Sequence, residues 1–303
     1  MVDRHFAQRT RSVVRGFFER TAITAAETAL RYGDYVYWQQ QRLDAELLDR
    51  LTSYWTAQLS GAPKLLKLPF DFDRPATLKR SGSRVHFRFA RDVSAHLKQL
   101  ARGENATVFM GLLAAFKVLM MRYSGQDDIV VGGPISGRER PELESLIGYF
   151  SNSLVLRTHL DGDPTFIETI GRVRSMLLDA HAHREMPFAS VVAAVGDTRV
   201  LNQNPLFQVN FRLRNSAVSA PAMDGLEVES LDFHNGCAKF ELAFEMWETP
   251  DGLHGFTEFS TELFTRETIS EMVRNFELLL GLVVATPSAR LSESIDQLNR
   301  STS

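Results

Sequence analysis

Eight histidines and one cysteine are the side chains best able to do acid–base or nucleophilic chemistry in this 303-residue chain. The histidines are His5, His86, His96, His159, His181, His183, His234 and His254. His181 and His183 stand two apart near the end of a predicted helix, so they point to different faces and share a metal poorly. No zincin-type motif accompanies them, and a histidine stabilised at a helix C-terminus is the simpler reading. Nothing in the sequence activates Cys237, which reads as a small buried residue. A single cysteine excludes an internal disulfide framework and a cysteine-based metal cluster, and it fits a reducing, cytoplasmic setting. There is no G-x-S-x-G elbow, P-loop or dinucleotide-binding glycine run, and Gly132-Gly133 alone is too little to cradle a phosphate. From residue types alone, no catalytic residue and no metal site are assigned.

The most informative polar groups lie in Asp128–Arg157, DIVVGGPISGRERPELESLIGYFSNSLVLR. Ile129 to Ile135 reads as a buried strand closed by a Gly-Gly-Pro turn, and residues 137–141 as a solvated loop. Ile147 to Ser153 forms an aromatic, amide-bearing corner that leads into a second strand, Leu154-Val155-Leu156.

The elements that must position this corner follow from periodicity. Residues 1–30 are the least readable, although Val13, Phe17, Phe18 and Ile23 can line an amphipathic helix weakened by Gly16. From Tyr32 to Leu59 the apolar residues recur at three- and four-residue spacing, which predicts one amphipathic helix ended by Gly61 and Pro63. Lys64–Gly82 is a Pro-punctuated connector and the best domain boundary. Val85, Phe87 and Phe89 alternate as a strand; Asp92 caps a helix carrying Val93, Leu97 and Leu100; Asn105 or Thr107 opens the next, with a Val108/Leu112/Phe116/Met120 stripe. Asp163-Pro164 predicts a helix start, with Phe166, Ile170, Val173 and Leu177 on one face. Strands are predicted from Phe207, over Leu226–Phe233, over Lys239–Trp247 and over Leu253–Phe259, the last two joined by a Pro250-Asp251-Gly252 turn. A final helix from Thr265 to about Ala285 turns Ile269, Met272, Val273, Phe276, Leu279, Leu280 and Val283 inward.

This order of elements predicts an α/β class, a mixed sheet with packed helices. Hydrophobic content of 44% and charged content of 23% fit a globular protein. A net charge of −3 gives no reason to expect nucleic acid or an anionic membrane as partner. The longest apolar run, Val108–Met121, contains Lys117 and is too short to span a bilayer.

Several blocks, in order, resemble the condensation domains of nonribosomal peptide synthetases. Tyr32-Gly33-Asp34-Tyr35 with Trp38-Gln39 resembles Y-x-D-Y-x-x-W-Q, and Val131–Arg138 resembles V-G-x-P-I-x-x-R. Ile147–Arg157 resembles I-G-x-F-x-N-[ST]-x-x-x-R. His183–Phe188 resembles H-x-x-x-P-F, Asn204–Val209 resembles [RS]-x-P-L-F-Q-V, and Ala238–Leu242 resembles A-K-F-D-L. The resemblance covers roughly residues 30–298 and implies the two-lobed, chloramphenicol-acetyltransferase-like fold.

It also implies an activity: amide formation between two thioesters carried on phosphopantetheine arms of partner carrier proteins, with no bound cofactor and with adenylation domains as neighbours. Asn152, Ser153, Tyr149 and Ser151 become candidates for the substrate tunnel. Trp38, Gly148, Arg157, His183, Pro187 and Phe188 become structural motif residues, with Arg157 expected to pair with an acidic neighbour. For Asn152 two readings stand open, a donor to a substrate carbonyl or a satisfied amide holding the corner. The family's H-H-x-x-x-D-G motif has no counterpart, since no two histidines here are adjacent. The implied organisation is a remnant of the N-terminal lobe and crossing helix over 1–63, a connector over 64–82, and a C-terminal lobe over 83–303. A chain of this kind is expected to be inactive alone; the alternatives are a carrier-docking module or one half of a split condensation enzyme.

Overall fold

The run that begins at Val108 becomes the helix on which the rest of the core packs. In the computed structural model, residues 30–196, 200–214, 225–229 and 231–302 are described. The expected helix over Val13–Ile23 lies outside them. In chain order the elements are α1 (Tyr32–Arg42), α2 (Ala45–Leu59), β1 (Gly82–Ala90), α3 (Arg91–Gly103), α4 (Val108–Ser124), β2 (Asp128–Ile135), β3 (Asn152–His159), α5 (Phe166–Ala182), α6 (Phe188–Val195), β4 (Val209–Arg214), β5 (Leu242–Thr249), β6 (Gly252–Ser260), α7 (Arg266–Ala285) and α8 (Leu291–Thr302).

Thr107 caps α4 by accepting from the Met110 amide (3.2 Å), and Gly125 ends the helix in the left-handed conformation. From Met110 to Met120 every residue of α4 is buried, so the expected single stripe is instead a helix enclosed on all sides. Its neighbours are α3, α5 and α7. The Phe116 ring meets Phe211 at 4.8 Å, Phe244 at 4.9 Å and Phe276 at 5.9 Å, joining two strands and α7 to the central helix.

Six strands form one mixed sheet in the order β1-β6-β5-β4-β2-β3, with β4 parallel to β5 and to β2 and the other pairs antiparallel. Val85, Phe89, Phe211, Phe244 and Phe259 are buried, while the neighbouring strand positions carry ion pairs such as Arg84–Glu258 (3.1 Å) and Arg212–Glu245 (3.3 Å). The period-2 alternation thus separates an apolar face from a charged one.

Several expectations need correction. The predicted single helix over 32–59 is two, because Asp44 accepts from the Leu47 amide (2.9 Å) and caps α2 after a break at Leu43. Gly132-Gly133-Pro134 is not a turn. It lies inside β2, where a Cβ on Gly132 would fall 1.9 Å from the Phe207 ring, so the glycine serves close packing. Pro134 is tolerated because β4 pairs with β2 only at Gly132.

The α3 cap is Ala90, with Asp92 one residue inside the first turn. Thr165, not Asp163, caps α5 through a reciprocal pairing with Glu168. Asp163 instead accepts from the Ser292 amide (2.9 Å) and hydroxyl (2.7 Å), so it caps α8, a helix that sequence reading did not identify. Those two bonds hold the Asp163 carboxyl below the ordinary range. Residues 225–229 and 231–235 form no strand, and Leu231 and Phe233 are exposed. Cys237 is exposed rather than buried.

The connector over 64–82 has no regular structure until β1 begins, yet it is fastened along its length. Gln208 bonds the Leu66 amide and the Lys64 carbonyl, and Asp71 accepts from Thr265 and Thr268 at the start of α7. Arg74 forms a bidentate pair with buried Glu241 (2.6 and 2.9 Å). Among the described residues no single helix is long and apolar enough to cross a membrane.

Candidate functional site

The corner before β3 forms one wall of a cleft of about 1080 Å³. A second, small apolar cluster of Leu143, Leu146 and Phe150 supports it, packed against Tyr32 and Tyr35 of α1. Gly148 allows the close approach: an added Cβ there would lie 2.2 Å from the Tyr32 ring, whose hydroxyl donates to the Tyr149 carbonyl (2.7 Å). The Arg138 guanidinium sits 4.1 Å from the Phe150 ring centre and donates to the Leu143 carbonyl, which ties down a loop expected to be merely solvated.

The cleft gathers Tyr149, Ser151, Asn152 and Ser153 with Trp38, Pro187 and Phe188, residues drawn from α1, the corner and the start of α6. Asn152 donates both amide hydrogens, to the carbonyls of Arg184 (3.1 Å) and Met186 (2.8 Å), and accepts from the Phe188 amide (3.0 Å). An asparagine side chain has two donors, and both are engaged within the protein. These contacts describe the corner-holding alternative. Ser151 and Ser153 flank it in the chain and line the same cleft, and neither hydroxyl is hydrogen-bonded among the described residues. Asn152→Ala is expected to destabilise the fold by about 2 kcal/mol, because it strands two carbonyls and an amide at once. Asn152→Asp restores the acceptor for Phe188 but faces a carboxylate with two carbonyls, so it should recover little. Urea midpoints of the two variants test both statements.

Three of the motif residues line no part of the cleft. Arg157 is buried and bonds Asp128 together with the carbonyls of Gln58 (2.9 Å) and Ser60 (2.8 Å). His183 caps the end of α5, stacks on Tyr54 with ring centres 3.7 Å apart, and accepts a bond from Trp55 at its carbonyl. Gly148 acts through its packing on Tyr32.

Sequence reading missed the charged rim. Glu139 pairs with Arg184 (2.6 Å), whose hydrogen bonds hold the Glu139 carboxyl below its ordinary range. Arg42 pairs with Glu185 (3.0 Å), and Arg140 lies 4.9 Å from the Trp38 ring centre. Arg80, Asn204, Lys239 and Phe240 also line the cleft. Arg184 and Glu185 fill variable positions of the H-x-x-x-P-F block, and no spacing rule joins them to residues 42 and 139. Among the described residues no histidine lines the cleft and no cluster is able to hold a metal ion.

Comparison with known proteins adds an independent line. The family model described as "Condensation domain" matches residues 20–299. One of the linear gramicidin synthase proteins of Brevibacillus parabrevis is 42% identical over 280 residues, 92% of this chain but 6% of that protein. Among solved structures, the X-domain from teicoplanin biosynthesis superposes with a TM-score of 0.88 at 26% identity, covering 95% of this chain and 67% of that one. An X-domain from teicoplanin biosynthesis has also been solved in complex with OxyB. The four-domain nonribosomal peptide synthetase holo-AB3403, bound to AMP and glycine, gives a TM-score of 0.82 at 25% identity over 94% of this chain and 23% of that one.

Proposed function

The chain belongs to the condensation-domain family of nonribosomal peptide synthetases, with its chloramphenicol-acetyltransferase-like fold, and from that premise we propose that it forms one wall of an amide-forming tunnel. In this reading residues 83–303 are the C-terminal lobe, 64–82 the connector, and 1–63 a remnant of the N-terminal lobe with its crossing helix. Two carrier proteins present thioesters on phosphopantetheine arms. The acceptor amine attacks the donor carbonyl, a tetrahedral oxyanion forms, a proton leaves the nitrogen, and the donor thiolate departs.

The observation that carries the reading is the cleft itself, which brings the corner and the H-x-x-x-P-F turn onto one surface with two serine hydroxyls uncommitted. Ser151 and Ser153 are the groups available to donate to a thioester or amide carbonyl, with Asn152 fixing the backbone between them. Proton removal needs a base, and no histidine lines the cleft among the described residues. The base then comes from a lobe bearing H-H-x-x-x-D-G. The expected result is no dipeptidyl thioester from the pure 303-residue chain with two loaded carriers, and turnover once a separate polypeptide with that lobe is added. Time-dependent product from the chain alone would overturn it.

A second reading, a docking module without turnover, is supported by the likeness to an X-domain solved with OxyB. It predicts saturable binding of a partner protein that no added lobe converts into catalysis.

A further inference from the structure

His181 and His183 stand two apart at the C-terminal end of α5, and their rings play opposite parts. The His183 Nδ1 lies 2.8 Å from the Asp179 carbonyl, so it donates. The His181 Nδ1 lies 3.1 Å from Arg184 Nη1. A guanidinium can only donate, so this nitrogen accepts; the His181 imidazole is neutral, with its proton on Nε2. A protonated ring carries hydrogens on both nitrogens and loses that bond. Burial and the Arg184 charge push the His181 titration below its ordinary value, and Glu139 opposes them.

Arg184 reaches from the turn after α5 to the loop that follows β2. Its Nη2 donates to Glu139 (2.6 Å), its Nε to the other oxygen of that carboxylate, and its Nη1 also to the His181 carbonyl (2.7 Å). The same loop sets Arg138 on the Phe150 ring and Arg140 on the Trp38 ring. Glu139, Arg140 and Arg184 all line the cleft, whereas His181 does not. The charges that face His181 are one cation, Arg184, and one carboxylate, Glu139. Glu185 is the further carboxylate near Arg184, and Arg42 of α1 pairs with it. Protonation of His181 therefore places two cations at a 3.1 Å contact, where they repel each other and compete for Glu139.

We propose that His181, Arg184 and Glu139 form a pH-sensitive clasp at the cleft rim, in which the neutral imidazole aims Arg184 at Glu139 and protonation frees the 137–141 loop. His181 is then a positioning residue, acting on the cleft through Arg184. The test follows deuterium exchange of the full chain between about pH 7.5 and 5, corrected for the intrinsic rate at each pH, alongside NMR titration of isotope-labelled histidines. Peptides over 137–146 are expected to lose protection about threefold as His181 protonates, the scale of one exposed charged contact, while α7 peptides keep theirs. His181→Gln offers an acceptor that does not titrate, so its loop should stay protected across the range. Glu139→Gln removes the charged partner, and its loop should exchange fast throughout. A wild-type loop whose protection is unchanged while His181 titrates would overturn the clasp. So would a loop pH dependence that survives in His181→Gln, or a His181 midpoint above about 6.5.

Discussion

Arg157→Met is expected to cost the fold about 3–5 kcal/mol, the range for breaking a buried ion pair by deleting one partner. The guanidinium is 8% exposed and uses its whole fork. Nε and Nη2 reach Asp128 at 3.0 and 2.8 Å, and Nη1 reaches the carbonyls of Gln58 and Ser60 at the end of α2. One side chain thus joins β3 to the start of β2 and to the helix that leads into the connector. Methionine fills much of the volume but leaves a carboxylate and two carbonyls without donors. Arg157→Lys should recover only part, since an ammonium cannot fork to both sets of acceptors. Denaturant midpoints decide it, and a loss below about 1 kcal/mol in Arg157→Met would contradict a structural role.

The other large effect concerns Lys117, wholly buried on α4, where burial pushes the amine down from 10.5 to about 7 and the charge of Asp128 opposes that only in part. Its Nζ donates to the carbonyls of Ile129 (3.1 Å) and Leu156 (2.7 Å). A neutral amine has two hydrogens, so the two acceptors match that form. In the unfolded chain the group titrates near its ordinary value. Between about pH 7 and 10.5 the unfolded chain therefore holds a proton that the folded chain lacks. Stability should rise with pH through that window, by roughly 5 kcal/mol in all, and the penalty should be complete below it. Lys117→Met should remove this slope. The measurement is unfolding free energy at pH 6 and pH 10 for both proteins; an equal change in the two would sink the idea. Because Asp128 also pairs with Arg157, the Arg157 variants should alter the Lys117 titration as well.

What was legible in the sequence depended on whether a local rule had a competitor. The inward positions of α7 were read correctly because its pattern is uninterrupted and Thr265 caps it. The β5–β6 turn was read correctly because Pro250-Asp251 joins strands whose facing ends lie within two residues of the alternation, although β5 starts three residues later than expected. Gly132-Gly133-Pro134 was misread because turn chemistry and close packing select the same residues, and only the Phe207 ring distinguishes them. The break between α1 and α2 was hidden by apolar spacing that continues across Asp44. Asp163-Pro164 looked like a start for α5 and caps α8, a contact across 129 positions that no local window contains. Leu226–Phe233 alternates as a strand should, but no strand forms among its described residues.

The site divided in the same way. The corner residues stood out by their spelling, and seven of the named residues share the cleft. The ion pairs of the rim were invisible, since Glu139–Arg184 and Arg42–Glu185 join distant positions with no periodic relation.

The fastened connector bears on how such domains can be recombined. A crossover placed between Lys64 and Gly82 would ask a foreign segment to supply Asp71 for Thr265 and Arg74 for buried Glu241, and a mismatch at Glu241 would strand a carboxylate. The break at Leu43, between two helices with separate caps and no buried residue on the first, asks for none of these partners. Chains joined there would inherit the fastened connector whole, together with the sheet and the α7 start that hold it.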